Sequence, residues 1–290
     1  MLKTLTVVRP INLIIILLTM MVVQSNIYAH ANQPVQWNVQ WWLKMLLMLL
    51  LAASGNVIND IWDQKVDAIN RGKKQIIGNG LSPIFAKRLY GILMFFVFIL
   101  AFQIFLISKK GLLIYTPLTI ALGLFLYTPV FKRLPWVGNI WVAACIGFVP
   151  LWAMLGKWKW TFDSEIFTRV FFLSLMAFIA NWIREIVKDM IDRKGDEICG
   201  YSSLVIAYGQ RFTIVFIRWL LLALMMLIVL YLSMGEQHDS GIFFGLLLMI
   251  APGVLLLFIA IRNWNDLTPK KLSFLLKYWM LLALLQFYLS

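Results

Sequence analysis

Asn59, Asp63 and Asp67 are spaced i, i+4, i+8 and share one face of a helix, with Asp60 beside them; much later in the chain Asp192 and Asp196 repeat the spacing, with Asp189 one turn before. Like charges stacked in this way repel by about 0.2–0.5 kcal/mol per pair, a cost with no return unless a cation sits among them. Carboxylates from two helix ends, with Lys and Arg interleaved, suit a diphosphate held through Mg²⁺. That ion prefers hard oxygen ligands and bridges a few carboxylates to substrate phosphates. Asp60, Asp63, Asp67, Asp189, Asp192 and Asp196 are the candidate metal ligands, and Asp63, Asp67, Asp192 and Asp196 the candidate catalytic core. Ionisation of an allylic diphosphate leaves a carbocation and pyrophosphate, and the metal's task is to stabilise the leaving group.

Each acidic stretch follows an apolar run, so each is expected where a transmembrane helix meets water. Nine apolar stretches are long enough, or nearly so, to span a bilayer: residues 10–28, 39–58, 85–107, 112–131, 137–155, 166–187, 212–233, 242–261 and 272–289. Hydrophobic residues make up 62% of the chain and charged residues 13%, a composition of the membrane class with little left for a soluble domain. The expectation is an all-α integral membrane protein, nine helices in one bundle, with residues 1–290 as a single domain. Arg9-Pro10 suits a helix start, although Ala29-His30-Ala31 resembles a signal cleavage site; the reading favours a retained first helix.

The 26 Lys and Arg outnumber the 13 Asp and Glu. Most of the basic residues fall beside the even-numbered hydrophobic segments' ends, which by the positive-inside rule puts both Asp-rich loops on the cytoplasmic side. Scattered among short loops, these cations point to membrane lipids and an anionic substrate rather than nucleic acid. Cys145 falls in a predicted helix and Cys199 in a loop, so neither a disulfide nor a zinc site is expected. His30 and His238 fall in loops away from the acidic stretches, which argues against histidine catalysis. The 21 Phe, 13 Trp and 9 Tyr are expected mainly at lipid and in interfacial belts, with some lining a water-free cavity where their faces favour a cation.

On these residues the chain resembles the UbiA superfamily of intramembrane prenyltransferases, whose nine-helix fold carries N-x-x-x-D-x-x-x-D after helix two and D-x-x-x-D after helix six. Asn59, Asp63, Asp67 and Asp192, Asp196 match those motifs. Arg9-Pro10-Ile11-Asn12, the Y-x-x-x-x-K pattern from Tyr127 to Lys132, and Gly138-Asn139 match further family positions. The run Arg184-Glu185-Ile186-Val187-Lys188-Asp189 is most similar to the digeranylgeranylglyceryl phosphate synthase branch. The loop after the first motif departs from the family's Arg-Pro turn, reading Lys73-Lys74-Gln75-Ile76-Ile77.

The resemblance implies Mg²⁺-dependent transfer of a polyprenyl group from its diphosphate to a lipophilic acceptor. A prenylated glycerol phosphate is the first candidate acceptor, and an aromatic ring, as in quinone biosynthesis, is the alternative. It makes Lys132 a diphosphate ligand, with Asn59, Arg71, Lys188 and Tyr127 as further substrate-binding candidates. Arg9 and Asn12, at the inner end of helix one, are placed to meet an acceptor headgroup. Glu185 is either a base or a partner of Arg184. Arg218 and Lys277 are read as side chains snorkelling to the interface. An ion-coupled transporter is the competing class, since intramembrane acids mark ion pathways, but its charges belong near helix midpoints rather than at helix ends.

Overall fold

The computed structural model describes residues 6–72, 75–155, 164–234, 244–261, 264 and 268–289. Among them every regular element is a helix, apart from an isolated bridge between Ile77 and Leu81. In chain order these are α1 (Pro10–His30), α2 (Val39–Trp62), α3 (Gln64–Arg71), α4 (Pro83–Ser108), α5 (Leu112–Tyr127), a 3₁₀ turn (Phe131–Arg133), α6 (Val137–Gly147), α7 (Val149–Met154), α8 (Ser164–Ile198), α9 (Leu204–Met234), a π-helical turn (Leu246–Ile250) running into α10 (Ala251–Ile261), and α11 (Thr268–Leu289).

Local chemistry sets several of these boundaries. Pro10 and Pro83 open α1 and α4, where a missing N–H costs nothing, and the Asn38 and Ser82 side chains accept from Trp41 N at 3.0 Å and Phe85 N at 3.1 Å. Pro150 in the first turn of α7 accompanies the break from α6. The end of α7 is held from α2. Lys44, 1% exposed, donates from Nζ to Ala153 O at 3.1 Å and Leu155 O, while Trp152 Nε1 donates back to Lys44 O at 3.2 Å.

Among the described residues seven helices are long and apolar enough to cross a bilayer: α1, α2, α4, α6 with α7, α8, α9 and α11. Two shorter apolar helices, Leu112–Tyr127 and Leu246–Ile261, occupy the fourth and eighth expected segments. At sixteen residues α5 reaches only about 24 Å, short of a hydrocarbon core of about 30 Å. The protein is an all-helical integral membrane protein.

The sixth segment differs most from expectation. Read as a helix ending near residue 187 with an acidic loop behind it, it instead continues unbroken to Ile198, a helix of 35 residues. Asp189, Asp192 and Asp196 are therefore helical and not in a loop. Arg193 and Glu197 pair at i, i+4 along this extension, and the one glycine in it, Gly195, does not stop a helix whose neighbours hold it on both sides. His30 likewise closes α1 rather than lying in a loop, while His238, Lys73 and Lys74 lie outside the described residues. Helix α8 is the hub of the bundle, packing against α1, α3, α6, α7, α9 and α11.

Candidate active site

The two acidic motifs meet through an amide. Asn70, near the end of α3, donates to Asp192 O at 2.9 Å and accepts from Gly195 N at 2.9 Å. The approach requires glycine: a Cβ on residue 195 would lie 2.6 Å from the Asn70 amide nitrogen. Residues far apart in sequence are thereby fixed side by side on α3 and α8.

In the first motif, α2 ends at Asp63 and α3 begins at Gln64, yet helical hydrogen bonds bridge the junction, from Asp63 N to Asn59 O and from Asp67 N to Asp63 O, both 2.8 Å. The expected shared face survives, and Asn59 Nδ2 donates to Asp63 Oδ2 at 3.2 Å. Asn59 Oδ1 accepts in turn from Thr128 at 3.3 Å. Five of the six carboxylates then have polar partners. Arg9 Nη2 lies 2.7 Å from Asp60 Oδ1, Arg71 Nε lies 3.2 Å from Asp67 Oδ1, and Asn139 donates to Asp189 Oδ2 at 2.8 Å. Lys132 Nζ sits 3.1 Å from both Asp63 Oδ2 and Asp196 Oδ1, and 4.8 Å from the Tyr201 ring centre. One ammonium thus joins the first motif to the second.

These acids are not solvated helix ends. Asp60, Asp63, Asp67 and Asp196 are 3%, 7%, 8% and 0% exposed, which rules out a reading as charges turned to water. Asp60 Oδ2, Asp63 Oδ1 and Asp196 Oδ2 are buried without a hydrogen-bond partner, a cost of about 1–3 kcal/mol or more each that a ligand would relieve. Burial pushes the Asp63 carboxyl up against the opposing pull of Lys132, and pushes Asp67 up to about 6 against that of Arg71. For Lys132 burial works in the other direction, and the carboxylates of Asp63 and Asp196 outweigh it, holding the amine above the ordinary lysine range.

Among the described residues no three acidic side chains converge tightly enough to cage a metal unaided. Orphaned hard oxygens on facing helices, without a ready cage, fit Mg²⁺, which draws its remaining ligands from phosphate and water.

All the residues singled out from sequence line one cavity of about 1310 Å³: the six aspartates, Asn59, Arg71, Lys132, Lys188, Arg9, Asn12 and Tyr127. Its lower wall is aliphatic, built from residues such as Ile15, Ile16, Met48, Leu51, Ile120 and Leu124. The expected aromatic lining is corrected: Tyr127 is the only aromatic among the described residues of the wall. The rings pack elsewhere, with Trp136, Trp182, Tyr208, Phe212 and Phe216 clustered among α6, α8 and α9, mostly tilted or edge to face.

Of three further charged lining residues, sequence reasoning weighs Glu185, as a base or a partner of Arg184, but gives neither Arg184 nor Lys277 a place in the cavity. Glu185 and Arg184 face the cavity on α8, and Lys277, read as a snorkelling side chain, lines it from α11. Lys270 and Lys277, both lining residues, are spaced i, i+7 on α11, a signal of one inward face. Arg218 does not snorkel either: it caps α10, donating from Nε to Ala260 O at 2.9 Å and from Nη2 to Ile261 O at 3.2 Å.

Comparison with known proteins follows the same line. Residues 16–284 match the model of the UbiA prenyltransferase family. Digeranylgeranylglyceryl phosphate synthase of Methanospirillum hungatei is 29% identical over 99% of this chain and 96% of its own, and that of Thermococcus gammatolerans is 30% identical over 86% and 84%. A solved structure from work on digeranylgeranylglyceryl phosphate synthase in membranes superposes with a TM-score of 0.70 at 24% identity, covering 99% of this chain and 96% of that one. A UbiA homologue from Archaeoglobus fulgidus bound to GPP and Mg²⁺ gives 0.61 at 15%, covering 98% and 99%. With a family match over most of its length and a fold shared with solved members, this chain belongs to the UbiA family and is an intramembrane prenyltransferase.

Proposed function

We propose that the protein moves a polyprenyl group from its diphosphate to the hydroxyl of a prenylated glycerol phosphate, with Mg²⁺ at the aspartates. The observation that carries this reading is the Lys132 bridge between Asp63 and Asp196, surrounded by unpartnered carboxylate oxygens, at the head of a cavity with an aliphatic wall. Asp60, Asp63, Asp67, Asp189, Asp192 and Asp196 would hold the metal, whose contribution when bound is to neutralise the departing diphosphate. Lys132 and Arg71 then bind phosphate oxygens, Asn59 and Asn139 orient Asp63 and Asp189, and Arg9, Asn12 and Lys188 meet the acceptor head. Aliphatic side chains keep water from the allylic cation, so that the acceptor oxygen, not solvent, completes the transfer. Tyr127 offers the one π face among the described residues of the wall.

The glycerol phosphate acceptor is supported by the names of the relatives, digeranylgeranylglyceryl phosphate synthases over nearly the whole chain, and by the run from Arg184 to Asp189. In this reading the two shorter apolar helices complete nine spans, and the surplus of Lys and Arg beside the acidic motifs supports a cytoplasmic side for them.

The test is prenyl transfer by purified, detergent-solubilised protein given geranylgeranyl diphosphate with geranylgeranylglyceryl phosphate or, separately, with aromatic acids. Mg²⁺-dependent product on the glycerol phosphate, lost with chelator and in Asp63→Ala and Asp192→Ala, is the expected result. Product on an aromatic ring alone would reassign the acceptor, and no pyrophosphate release from any pair would overturn the reading.

A further inference from the structure

One group of the cavity has no part in holding a metal. Arg9, Arg184, Lys188 and Lys277 come from α8, α11 and the residue preceding α1, all line the cavity, and lie within electrostatic reach of Glu185. Lys188 Nζ and Arg184 Nη1 both approach the same Glu185 oxygen, Oε1, the latter at 3.5 Å. Arg184 is 8% exposed, yet its Nε–H has no hydrogen-bond partner. Counting Asp60, which pairs with Arg9, the four cations face two carboxylates, a surplus of two positive charges. Four cations gathered in a partly apolar cavity repel one another and leave a buried donor unsatisfied, an arrangement that an anion would relieve.

We propose that Arg184, Lys188 and Lys277, with Arg9 at their edge, form a second anion subsite that takes the phosphate monoester of the acceptor. This deepens the prenyltransferase reading above and rests on it. The charge decides the ligand class. A phosphate monoester carries about −1.5 to −2 at neutral pH, which matches the surplus, whereas an aromatic carboxylate carries only one charge. Guanidinium recognises phosphate through paired donors, and the free Nε–H of Arg184 beside its Nη supplies such a pair. Arg9 also resolves a difficulty that any enzyme joining two anionic lipids faces. Its guanidinium pairs with Asp60 of the proposed metal set and is also within electrostatic reach of Glu185, so its charge offsets the repulsion between the diphosphate and the acceptor's phosphate.

The test is binding without metal, in EDTA, so that the aspartate site does not contribute. Geranylgeranylglyceryl phosphate and its dephosphorylated alcohol are titrated into the full-length protein in detergent, with sn-glycerol phosphate as a soluble competitor. The phosphate form is expected to bind at least about tenfold tighter than the alcohol. Arg184→Gln and Lys277→Met should each reduce that ratio several-fold, and Lys277→Arg should retain it, which separates lost charge from lost folding. Competition by sn-glycerol phosphate in the wild type but not in Arg184→Gln would show that the headgroup alone is read; its failure, with the lipid ratio intact, would show that the phosphate is read only on the lipid. Equal binding of lipid phosphate and alcohol by the wild type, or a ratio unmoved by both charge-removing variants, overturns the subsite. Pyrophosphate release from geranylgeranyl diphosphate with Mg²⁺, followed in parallel, tells the two ideas apart. Release without discrimination keeps the prenyltransferase and loses the subsite, and discrimination without release keeps the subsite and loses the donor chemistry.

Discussion

The two acidic motifs serve one cavity but are built differently. Asp60, Asp63 and Asp67 straddle a junction between two helices, while Asp189, Asp192 and Asp196 ride on one uninterrupted helix packed on many sides. The first set depends on side chains brought from elsewhere, Arg9, Lys132 and Thr128, each from a different part of the chain. The second set also receives side chains from elsewhere, Asn139 at Asp189 and Lys132 at Asp196, but its backbone on α8 is in addition pinned at Asp192 and Gly195 by a single amide. An acid at a junction can be adjusted by its partners, whereas an acid on a rigid rod is moved only by moving the rod. The difference suggests a fixed wall and an adjustable wall closing on the same ligand.

The largest expected effects erase the distinction altogether. Asp63→Ala and Asp196→Ala should each lower the rate of transfer by about 10²–10³-fold, since each removes charge stabilisation of the leaving group from one wall; steady-state assays check it. Next, Asn70→Ala should cost the fixed wall its pin. Losing two part-buried hydrogen bonds predicts a loss of about 1–3 kcal/mol in stability and a clear fall in rate, read by thermal unfolding beside the assay. An equal fall in Asn59→Ala with no stability change would show that the junction, not the rod, sets the geometry.

Proton linkage sharpens the contrast further. Asp67 is raised to about 6, above its unfolded value, so its ionised form is disfavoured by folding. Ionisation therefore costs stability as pH climbs from about 4 to 6, and the cost is fully present above that. Mg²⁺ competes with that proton, so its affinity should rise with pH through about 6 and then level off, and Asp67→Asn should flatten the profile, as isothermal titration can measure. The smallest effect belongs to a control outside both walls: Arg218→Ala should cost about 0.3–1 kcal/mol through the lost helix cap, seen in thermal unfolding, while transfer is preserved.

Much of this was legible before any fold was drawn. Side-chain chemistry at i, i+4 and i+8 marked the acids that line the cavity, and apolar length marked the spans. Helix rotation was hard to read, because lipid and protein interior are equally apolar; on α11 the spacing of Lys270 and Lys277 was the one cue, and on α9 there was none. Lys277 and Arg218 were therefore both taken for lipid-edge side chains, although one faces the cavity and the other caps a neighbouring helix. The aromatic lining failed for a related reason: composition counts rings without saying which side they face. The continuation of α8 through its acids was hidden because a run of Asp, Lys and Gly resembles a loop when the helices that hold it are unknown.

Lys132 carries one last implication. By pairing with both Asp63 and Asp196 it joins the two motifs with the protein's own charge, so assembly of the site is expected not to depend on a bound ion. Many metal sites are staples without which the chain falls apart. Here the metal would be closer to a reagent, picked up and given back with each diphosphate, and a chelator should silence the enzyme while leaving its melting temperature where it was.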